Sequence, residues 1–191
     1  MKTFELKGKL RAEVGKKATK AVRTAASVPC VLYGGAENLH FTTTVSELHK
    51  LVYSPEVFLV SLEIDGKKRN AIMKDLQFHS VSDKVLHIDF LEVFENKPFV
   101  VEIPVQLEGL AEGVKAGGKL SLEMRKLRVK GIYTQIPEKI VLDVTNLGLG
   151  KTIQVGNIQV PNIELLNAKN AVVAQVKLTR AARGAAASEE K

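Results

Sequence analysis

Residues 15–35, GKKATKAVRTAASVPCVLYGG, place a basic arm directly before an apolar strand, and the rest of the chain is organised around this stretch. If residues 16–27 are helical at about 100° per residue, Lys16, Lys20 and Arg23 fall within roughly 60° of one another. The opposite side of such a helix carries the apolar residues Ala18, Val22 and Ala25. This arrangement predicts a helix that docks with one face and presents the other to anions.

The second part of this stretch predicts a strand followed by a tight turn. Pro29 stops the helix because it has no amide hydrogen, and the β-forming residues 31–33 follow it. Gly34 and Gly35 then predict a turn whose backbone another molecule can approach closely. An aromatic residue, Tyr33, beside a glycine turn and basic residues suits contact with RNA.

The charge of the chain is concentrated at its beginning. The 191 residues carry a net charge of +7, and residues 1–36 alone hold eight Lys and Arg against Glu5 and Glu13, a net charge of +6. A solubilising excess of lysine would also give a pI near 9.4. Because the cations cluster at one end, an anionic partner such as RNA is favoured over that alternative.

The remaining local patterns are mostly those of strands and turns. Apolar and polar residues alternate in the first strand, where a bulge is expected at Gly8. Thr44 and Glu47 have the spacing of a capping box at the start of a short helix. The dipeptide Asp65-Gly66 between two β-prone runs predicts a hairpin.

The apolar pattern is interrupted at residues 95–98, ENKP, which we interpret as a domain boundary. A new alternating run begins at Phe99, and Pro104 within it predicts an edge strand or a bulge. The predicted fold class is mainly β, with two β-rich domains and only short helices. The predicted division is a first domain at 1–95, a second at 96–178 and a flexible tail at 179–191.

Three blocks of sequence together resemble one known family. They are GKKATKAVR at 15–23, VPCVLYGG at 28–35 and KDLQFHSVSDKVLHIDFLEV at 74–93, in the expected order. The chain resembles the bacterial ribosomal protein L25 family in its long form, the general stress protein CTC type, over essentially all of residues 1–178. The resemblance implies an N-terminal β-barrel that binds 5S rRNA, followed by a second β-rich domain. It also implies a cytoplasmic, ribosome-associated structural constituent of the large subunit that stabilises 5S rRNA in the central protuberance.

The resemblance also implies which residues contact RNA. The basic residues should meet phosphates, Tyr33 should offer a planar face or a phenolic hydrogen bond, and the polar residues should read the minor groove. His87 and Asp89 share one face of a strand by its two-residue period, although the same spacing also fits a plain surface His-Asp pair. The predicted RNA-binding residues are Arg11, Lys16, Lys20, Arg23, Tyr33, Gly34, Asp75, Gln77, His87 and Asp89.

The segments that resemble enzyme motifs lack residues that those motifs require. Gly150-Lys151-Thr152 copies the end of a phosphate-binding loop, but the earlier glycine of that motif falls at Thr145, so a turn between strands is the better interpretation. His79, His87 and Asp89 are not arranged as a helix-borne metal motif. A nucleotide or metal site of an enzyme, and a stress-induced module acting off the ribosome, are the competing functions.

Several further expectations concern partners and environment. We expect no cofactor, no metal, no contact with a membrane, and a monomer within the ribosome. Cys30, the one cysteine, predicts a buried inert thiol in a reducing compartment. An alternating basic face, Lys126, Arg128 and Lys130, is either a second rRNA contact or a solvated outer face of a sheet.

Overall fold

The computed structural model describes residues 1–179, and these residues form a mainly β structure, as the sequence predicts. The predicted tail lies outside the described residues except for Thr179. Contacts divide the described residues into two compact units, of which the first holds Met1–Phe99 with Ile132–Glu138 and the second holds Val100–Gly131 with residues 139–179. No helix within the described residues is long and apolar enough to cross a membrane.

The first unit is a closed barrel of six strands in the order β1-β3-β2-β6-β5-β4. Its strands are β1 (Lys2–Leu10), β2 (Ser27–Tyr33), β3 (Leu39–Thr44), β4 (Phe58–Ile64), β5 (Lys67–Phe78) and β6 (Val85–Glu92). Two helices join them, α1 (Lys16–Thr24) between β1 and β2, and α2 (Val45–Val52) between β3 and β4.

Alternation along each strand decides which side chains fill the barrel. On β2, Val28, Cys30 and Leu32 are buried, so Val31 and Tyr33 face outward. On β6, Ile88 and Phe90 are likewise buried and their neighbours face outward. The outer side of these two paired strands therefore carries polar and aromatic side chains that the core does not need.

Gly8 lies in unbroken pairing, so the predicted bulge at this position is wrong. Residues Lys2–Gly8 pair in register with Phe58–Ile64, and β1 then pairs with β3 at its end. A Cβ at Gly8 would lie 2.6 Å from Cδ2 of Phe41, whose side chain is fully buried. Glycine is needed here because the Phe41 ring packs against the backbone where the barrel closes.

Two predicted helix signals form differently in the structure. The first helix ends at Thr24, before the expected residue 27, because Ala26 adopts a left-handed conformation with φ of 53° and β2 begins at the next residue. Thr44 is the N-cap of α2 but makes no capping hydrogen bond through its side chain. The Glu47 carboxylate instead accepts a hydrogen bond from Thr43 Oγ1 at 3.1 Å, so the capping box is absent.

Pro29 and Pro104 both lie inside strands that have neighbours on two sides. Pro29 is one residue before the parallel pairing of β2 with β6 starts at Cys30. Pro104, on β7, is likewise one residue before the parallel pairing of β7 with β10 starts at Val105. Each proline thus stands just before a parallel ladder, in which a residue without an amide hydrogen is disfavoured. Because β7 lies between β10 and β9, the edge strand, one of the two alternatives predicted from Pro104, is wrong.

The second unit contains two small sheets, of order β10-β7-β9-β12 and β11-β13-β8. The strands are β7 (Phe99–Glu108), β8 (Lys119–Leu122), β9 (Lys126–Gly131), β10 (Ile140–Asp143), β11 (Thr152–Gln154), β12 (Glu164–Leu165) and β13 (Val172–Lys177). The glycine-rich loop after β7 contains a short helix, α3 (Glu112–Lys115), that the sequence did not predict. Residues 120–132 contain β8 and β9 with a short break between them.

Candidate nucleic-acid interface

Four of the predicted RNA-binding residues meet on the outer face of β5 and β6. The antiparallel register places Asp75 opposite Asp89 and Gln77 opposite His87. Their chain neighbours Leu76 and Ile88 pack in the barrel core. We call Asp75, Gln77, His87 and Asp89 the polar face, and it joins residues that are far apart in sequence into one surface.

A bulge at Lys74 is what brings Asp75 onto this face. Met73 pairs with Phe90 and Asp75 pairs with Asp89, so two steps on β5 match one step on β6. Without the extra residue, Lys74 would oppose Asp89 and Asp75 would point toward the core. The core contacts on β5 follow this bulge, because their spacing changes from two residues, Ala71 to Met73, to three residues, Met73 to Leu76.

The charges on the polar face are unusual for a free protein surface. Asp89 accepts from Nδ1 of His87 at 2.7 Å, with about a third of the Asp89 side chain exposed. Asp75, directly opposite, uses Oδ1 to accept the backbone N–H of Leu76 at 2.9 Å. Like charges in opposite positions on a sheet destabilise it, so this face suits a ligand that supplies hydrogen-bond donors between the two carboxylates.

Tyr33 extends this surface onto β2. It is half-buried, and burial raises the pKa of its phenol, with the negative charges of Asp89 and Asp75 adding to the effect. Those charges place the phenol within electrostatic reach of the polar face. The next residue, Gly34, has φ of 94°, and a Cβ there would lie 2.7 Å from Cδ1 of Leu91. The positive φ and the close approach of Leu91 explain why a glycine follows Tyr33.

The glycine turn rests on an ion pair that sequence reasoning missed. Nη1 of Arg69 lies 3.1 Å and 3.3 Å from the two carboxylate oxygens of Glu92. The Glu92 side chain is only 9% exposed, and a Cβ at Gly35 would overlap its carboxylate. Arg69 and Glu92 therefore support the turn that follows Tyr33, and no local pattern links residues so far apart.

Gly35→Ala is expected to lower the free energy of unfolding of the first unit by about 1–3 kcal/mol, because the new methyl group must displace a carboxylate held by Arg69. The measurement is urea denaturation. Gly148→Ala is the matched control, since a Cβ there meets only Lys151 Cγ at 3.7 Å. Equal stability of the Gly35→Ala protein and the wild type would show that the carboxylate moves aside freely.

The basic arm forms α1, and its faces agree with the prediction except at Ala25. Lys16 and Lys20 are exposed, whereas Ala18 and Val22 are half-buried. Ala25, predicted on the apolar side, is exposed because the helix ends before it and Ala25 is the C-cap. Lys17 is also exposed and adds a third lysine to this surface, which we call the basic face of α1. The helix presents these ammonium groups to solvent because its apolar residues are used for packing.

Hydrogen bonds of Arg11 and Arg23 connect α1 to the rest of the first unit. Nη2 of Arg11 donates to Thr19 Oγ1 at 3.3 Å, close to the start of the helix. Near its end, Nε and Nη2 of Arg23 donate to the backbone carbonyl of Leu86 at 3.1 Å and 3.0 Å. The register of β5 and β6 shifts between Gln77 and Phe78, so Leu86 is the extra residue of a second bulge. Both arginines thus position α1, in addition to their predicted contact with phosphates.

Cys30 is 1% exposed, and its thiol donates to the carbonyl of Val28 at 3.6 Å. Burial raises the pKa of this thiol, and the charge of Asp89 raises it further, while Arg11 acts in the opposite direction. A thiol with a raised pKa and no access to solvent is a poor nucleophile. The prediction of a buried thiol is confirmed.

The sequences that resemble enzyme motifs have structural roles. The backbone N–H of Gly150 donates to the carbonyl of Val176 at 3.0 Å, and the backbone N–H of Lys151 donates to the carbonyl of Gly148 at 3.2 Å. This segment is therefore a turn, as predicted. Nδ1 of His79 accepts from the backbone N–H of Ser82 at 3.2 Å. Within the described residues, no group of three or more His, Cys, Asp and Glu side chains could hold a metal ion.

The basic residues of β9 are partly neutralised by neighbouring strands. Nε of Arg128 lies 3.2 Å from Glu102, and Nζ of Lys130 lies 3.7 Å from Glu164. Leu127, which separates Lys126 from Arg128 along the strand, is fully buried. This pattern is that of an outer sheet face with exposed ion pairs, the alternative that the sequence left open beside a second rRNA contact.

Two family models match the chain. Residues 6–90 match the Ribosomal L25p family, and residues 98–180 match the family described as Ribosomal protein TL5, C-terminal domain. The first match contains α1, Tyr33 and the whole polar face.

Complete proteins of similar length also align with the chain. A protein of Phocaeicola vulgatus is 56% identical over 198 aligned residues, and one of Bacteroides fragilis is 57% identical over 196, each alignment covering 100% of both chains. A protein of Parabacteroides distasonis is 60% identical over 192 aligned residues, covering 98% of this chain and 99% of the relative. All three are named large ribosomal subunit protein bL25.

Proposed function

We propose, on the premise that this chain belongs to the Ribosomal L25p family, that its barrel binds 5S rRNA and stabilises it in the central protuberance. Membership of the family makes the chain a structural, non-enzymatic component of the large ribosomal subunit, and so a cytoplasmic protein of the bacterial ribosome. The proposal concerns the RNA partner, its position in the subunit and the residues that contact it.

The observation that carries the proposal is the pairing of a carboxylate-rich polar face with a basic helix in one unit. Charge attraction alone would not select Asp75 and Asp89 for a surface that meets a polyanion. The wide, shallow minor groove of an RNA helix, however, presents ribose 2′-OH groups and guanine amino groups, both of which donate hydrogen bonds. The two carboxylates and Gln77 offer acceptors for those donors.

The basic residues have a different task in this proposal. Lysines on the exposed side of α1 contact phosphates, which sets the orientation of the protein but reads no sequence. Tyr33 contributes a planar face or its hydroxyl group beside the polar face, and Gly34 keeps the backbone low enough for the RNA to approach. Positioning by α1 and recognition by β5 and β6 together describe specific docking on one RNA.

The domain boundaries and the oligomeric state belong to this proposal as well. We propose a first domain at 1–95, a second at 96–178 that extends along the neighbouring ribosomal surface, and a monomer within the ribosome. Residues 132–138 pack with the first unit, where Ile136 is 2% exposed and Lys2 lies 3.4 Å from Glu138. Binding experiments should therefore use the full chain, because a fragment ending at residue 95 would lack this segment.

Replacing Lys16, Lys20 or Arg23 by Ala is expected to reduce the salt dependence of 5S rRNA binding. Each phosphate contact that is lost should lower the slope of log affinity against log salt by roughly 0.7–0.9, because fewer counterions are released. The measurement is the affinity of the full chain for 5S rRNA across a series of salt concentrations. Lys151→Ala, which removes the same charge from the second unit, should keep the wild-type slope.

Arg23 requires one additional variant because it also binds the Leu86 carbonyl. Arg23→Lys keeps the charge but loses the paired donors, so it should weaken binding with little change of slope. An unchanged slope in Arg23→Ala would remove Arg23 from the phosphate contacts and leave it with the positioning role alone. Absence of 5S rRNA binding by the folded wild-type chain would refute the proposed function itself.

A further inference from the structure

A cavity of about 590 Å³ opens at one end of the barrel, between α1, α2 and the residues that join β5 to β6. Its floor is apolar and is formed by Val28, Leu48, Val52 and Val85. The cavity borders the polar face, because Leu86 lines it and the next residue is His87. It is large enough for a small planar ligand, and its volume is in the range typical of ligand sites.

The aromatic rings of His49, Tyr53 and Phe78 form a cluster beside this cavity. Tyr53 lines the cavity and is 58% exposed. Its ring centroid lies 4.7 Å from that of His49, another lining residue, and 6.5 Å from that of Phe78. A large aromatic ring that the core does not cover provides a surface on which a planar group can stack.

Cationic groups accompany the aromatic ones. Arg23 lines the cavity, and its Nε and Nη2 donate to the Leu86 carbonyl. A guanidinium has five N–H donors, so the group is fixed in place with donors remaining for a ligand. Lys84 also lines the cavity, and Asp83 is the one carboxylate among the described lining residues.

The loop that carries Lys84 is internally bonded. The backbone N–H of Asp83 donates to the His79 carbonyl at 3.0 Å, and that of His79 donates to the Lys84 carbonyl at 2.9 Å. Nδ1 of His79 accepts two further backbone N–H groups, from Val81 at 3.3 Å and Ser82 at 3.2 Å. The cation at residue 84 is therefore attached to an ordered loop.

We propose that this cavity binds one unpaired nucleotide of the RNA that the polar face docks on, with the base stacked on Tyr53 over the apolar floor. The phosphate of that nucleotide contacts Arg23 and Lys84. This inference rests on the proposed RNA-binding function. A nucleotide fits better than a peptide side chain because the site combines a stacking surface, an apolar floor and an excess of cations next to the polar face.

The test is titration of the full chain with hexauridylate and hexaadenylate, observed by methyl NMR. We expect both oligonucleotides to shift the methyl signals of Leu48, Val52 and Val85. Tyr53→Ala should weaken their binding by roughly 5- to 150-fold, the range for loss of one stacked base. Tyr53→Phe should retain most of the affinity. Tyr133→Ala, a tyrosine of the same unit that does not line the cavity, should bind like the wild type.

Two results would overturn the inference. One is unshifted cavity methyl signals at millimolar oligonucleotide, and the other is unchanged binding by the Tyr53→Ala protein. A shift of the same signals by an apolar peptide but by neither oligonucleotide would assign the cavity to a protein partner instead. Asp89→Ala, tested with 5S rRNA, reports on the polar face independently. If the wild-type chain binds neither oligonucleotide but Asp89→Ala still weakens binding to 5S rRNA, the cavity site is rejected and the proposed function stands.

Discussion

Asp89→Ala is expected to weaken binding of the full chain to 5S rRNA by roughly 5- to 150-fold, although it removes a negative charge from a protein that binds a polyanion. A purely electrostatic interface would bind equally well or more tightly after this change. The carboxylate of Asp89 is a recognition group in our proposal, so its loss leaves RNA donors without an acceptor in a partly desolvated interface. The corresponding cost is about 1–3 kcal/mol.

The free protein should tolerate this substitution. Asp89→Ala removes the partner of His87 but also relieves the repulsion of Asp75, which lies directly opposite. Both contributions are small on a partly exposed sheet surface, of the order of 1 kcal/mol or less. The unfolding transition should therefore shift little while the affinity falls, and circular dichroism together with a binding titration measures both.

Two further observations sharpen the Asp89 test. Asp89→Asn should be intermediate in affinity, because the amide keeps one acceptor oxygen. Removal of the Asp89 charge should also lower the pKa of Tyr33 toward its ordinary value, since that charge contributes to the rise, although burial is the larger cause. Folded Asp89 variants that bind 5S rRNA as tightly as the wild type would contradict the proposed role of the polar face.

Phe90→Ala, at the adjacent position, is expected to lower the free energy of unfolding of the first unit by about 3–5 kcal/mol. Phe90 is fully buried, and its ring lies 5.7 Å from that of Phe41, which is also fully buried. Truncation removes this aromatic pair and leaves a cavity in the middle of the barrel. Phe90→Ala should thus lower the free energy of unfolding strongly, whereas Asp89→Ala should change it little.

Tyrosine fluorescence in urea measures this loss selectively. The chain has three tyrosines and no tryptophan, and Tyr33, Tyr53 and Tyr133 all belong to the first unit. Phe94→Ala is the control for removal of a phenyl ring, because Phe94 is 43% exposed and its truncation should lower the free energy of unfolding by about 1 kcal/mol or less. A Phe90→Ala protein no less stable than the Phe94→Ala protein would contradict the described packing of the barrel.

Much of the candidate site follows from local sequence. The two-residue period of a strand places His87 and Asp89 on one face whatever the fold around them. Helical periodicity likewise separates Lys16 and Lys20 from Val22. The hairpin at Asp65-Gly66 is confirmed, with φ of 48° and 78°, because a two-residue turn of this kind needs left-handed residues that Asp and Gly tolerate.

Other local signals were misleading because a distant residue decides their meaning. Gly8 by itself predicts a bulge, but it accommodates the Phe41 ring of the adjacent strand β3. Pro104 by itself predicts an edge strand or a bulge, but it lies in an inner strand, just before the start of parallel pairing with β10. A glycine or proline restricts the backbone in a known way, whereas the neighbour that requires the restriction lies elsewhere in the chain.

The sequence by itself determined the β-rich class, the basic and apolar faces of α1, and the common face of His87 and Asp89, because each depends on a period of a few residues. Only the tertiary structure decided that Asp75 opposes Asp89, since this depends on a bulge at Lys74 and on the register between two strands. The tertiary structure alone likewise placed Arg23 on the Leu86 carbonyl, 63 residues away along the chain. Register and bulges are selected by the energy of closing and packing the whole barrel, which no short window of sequence contains.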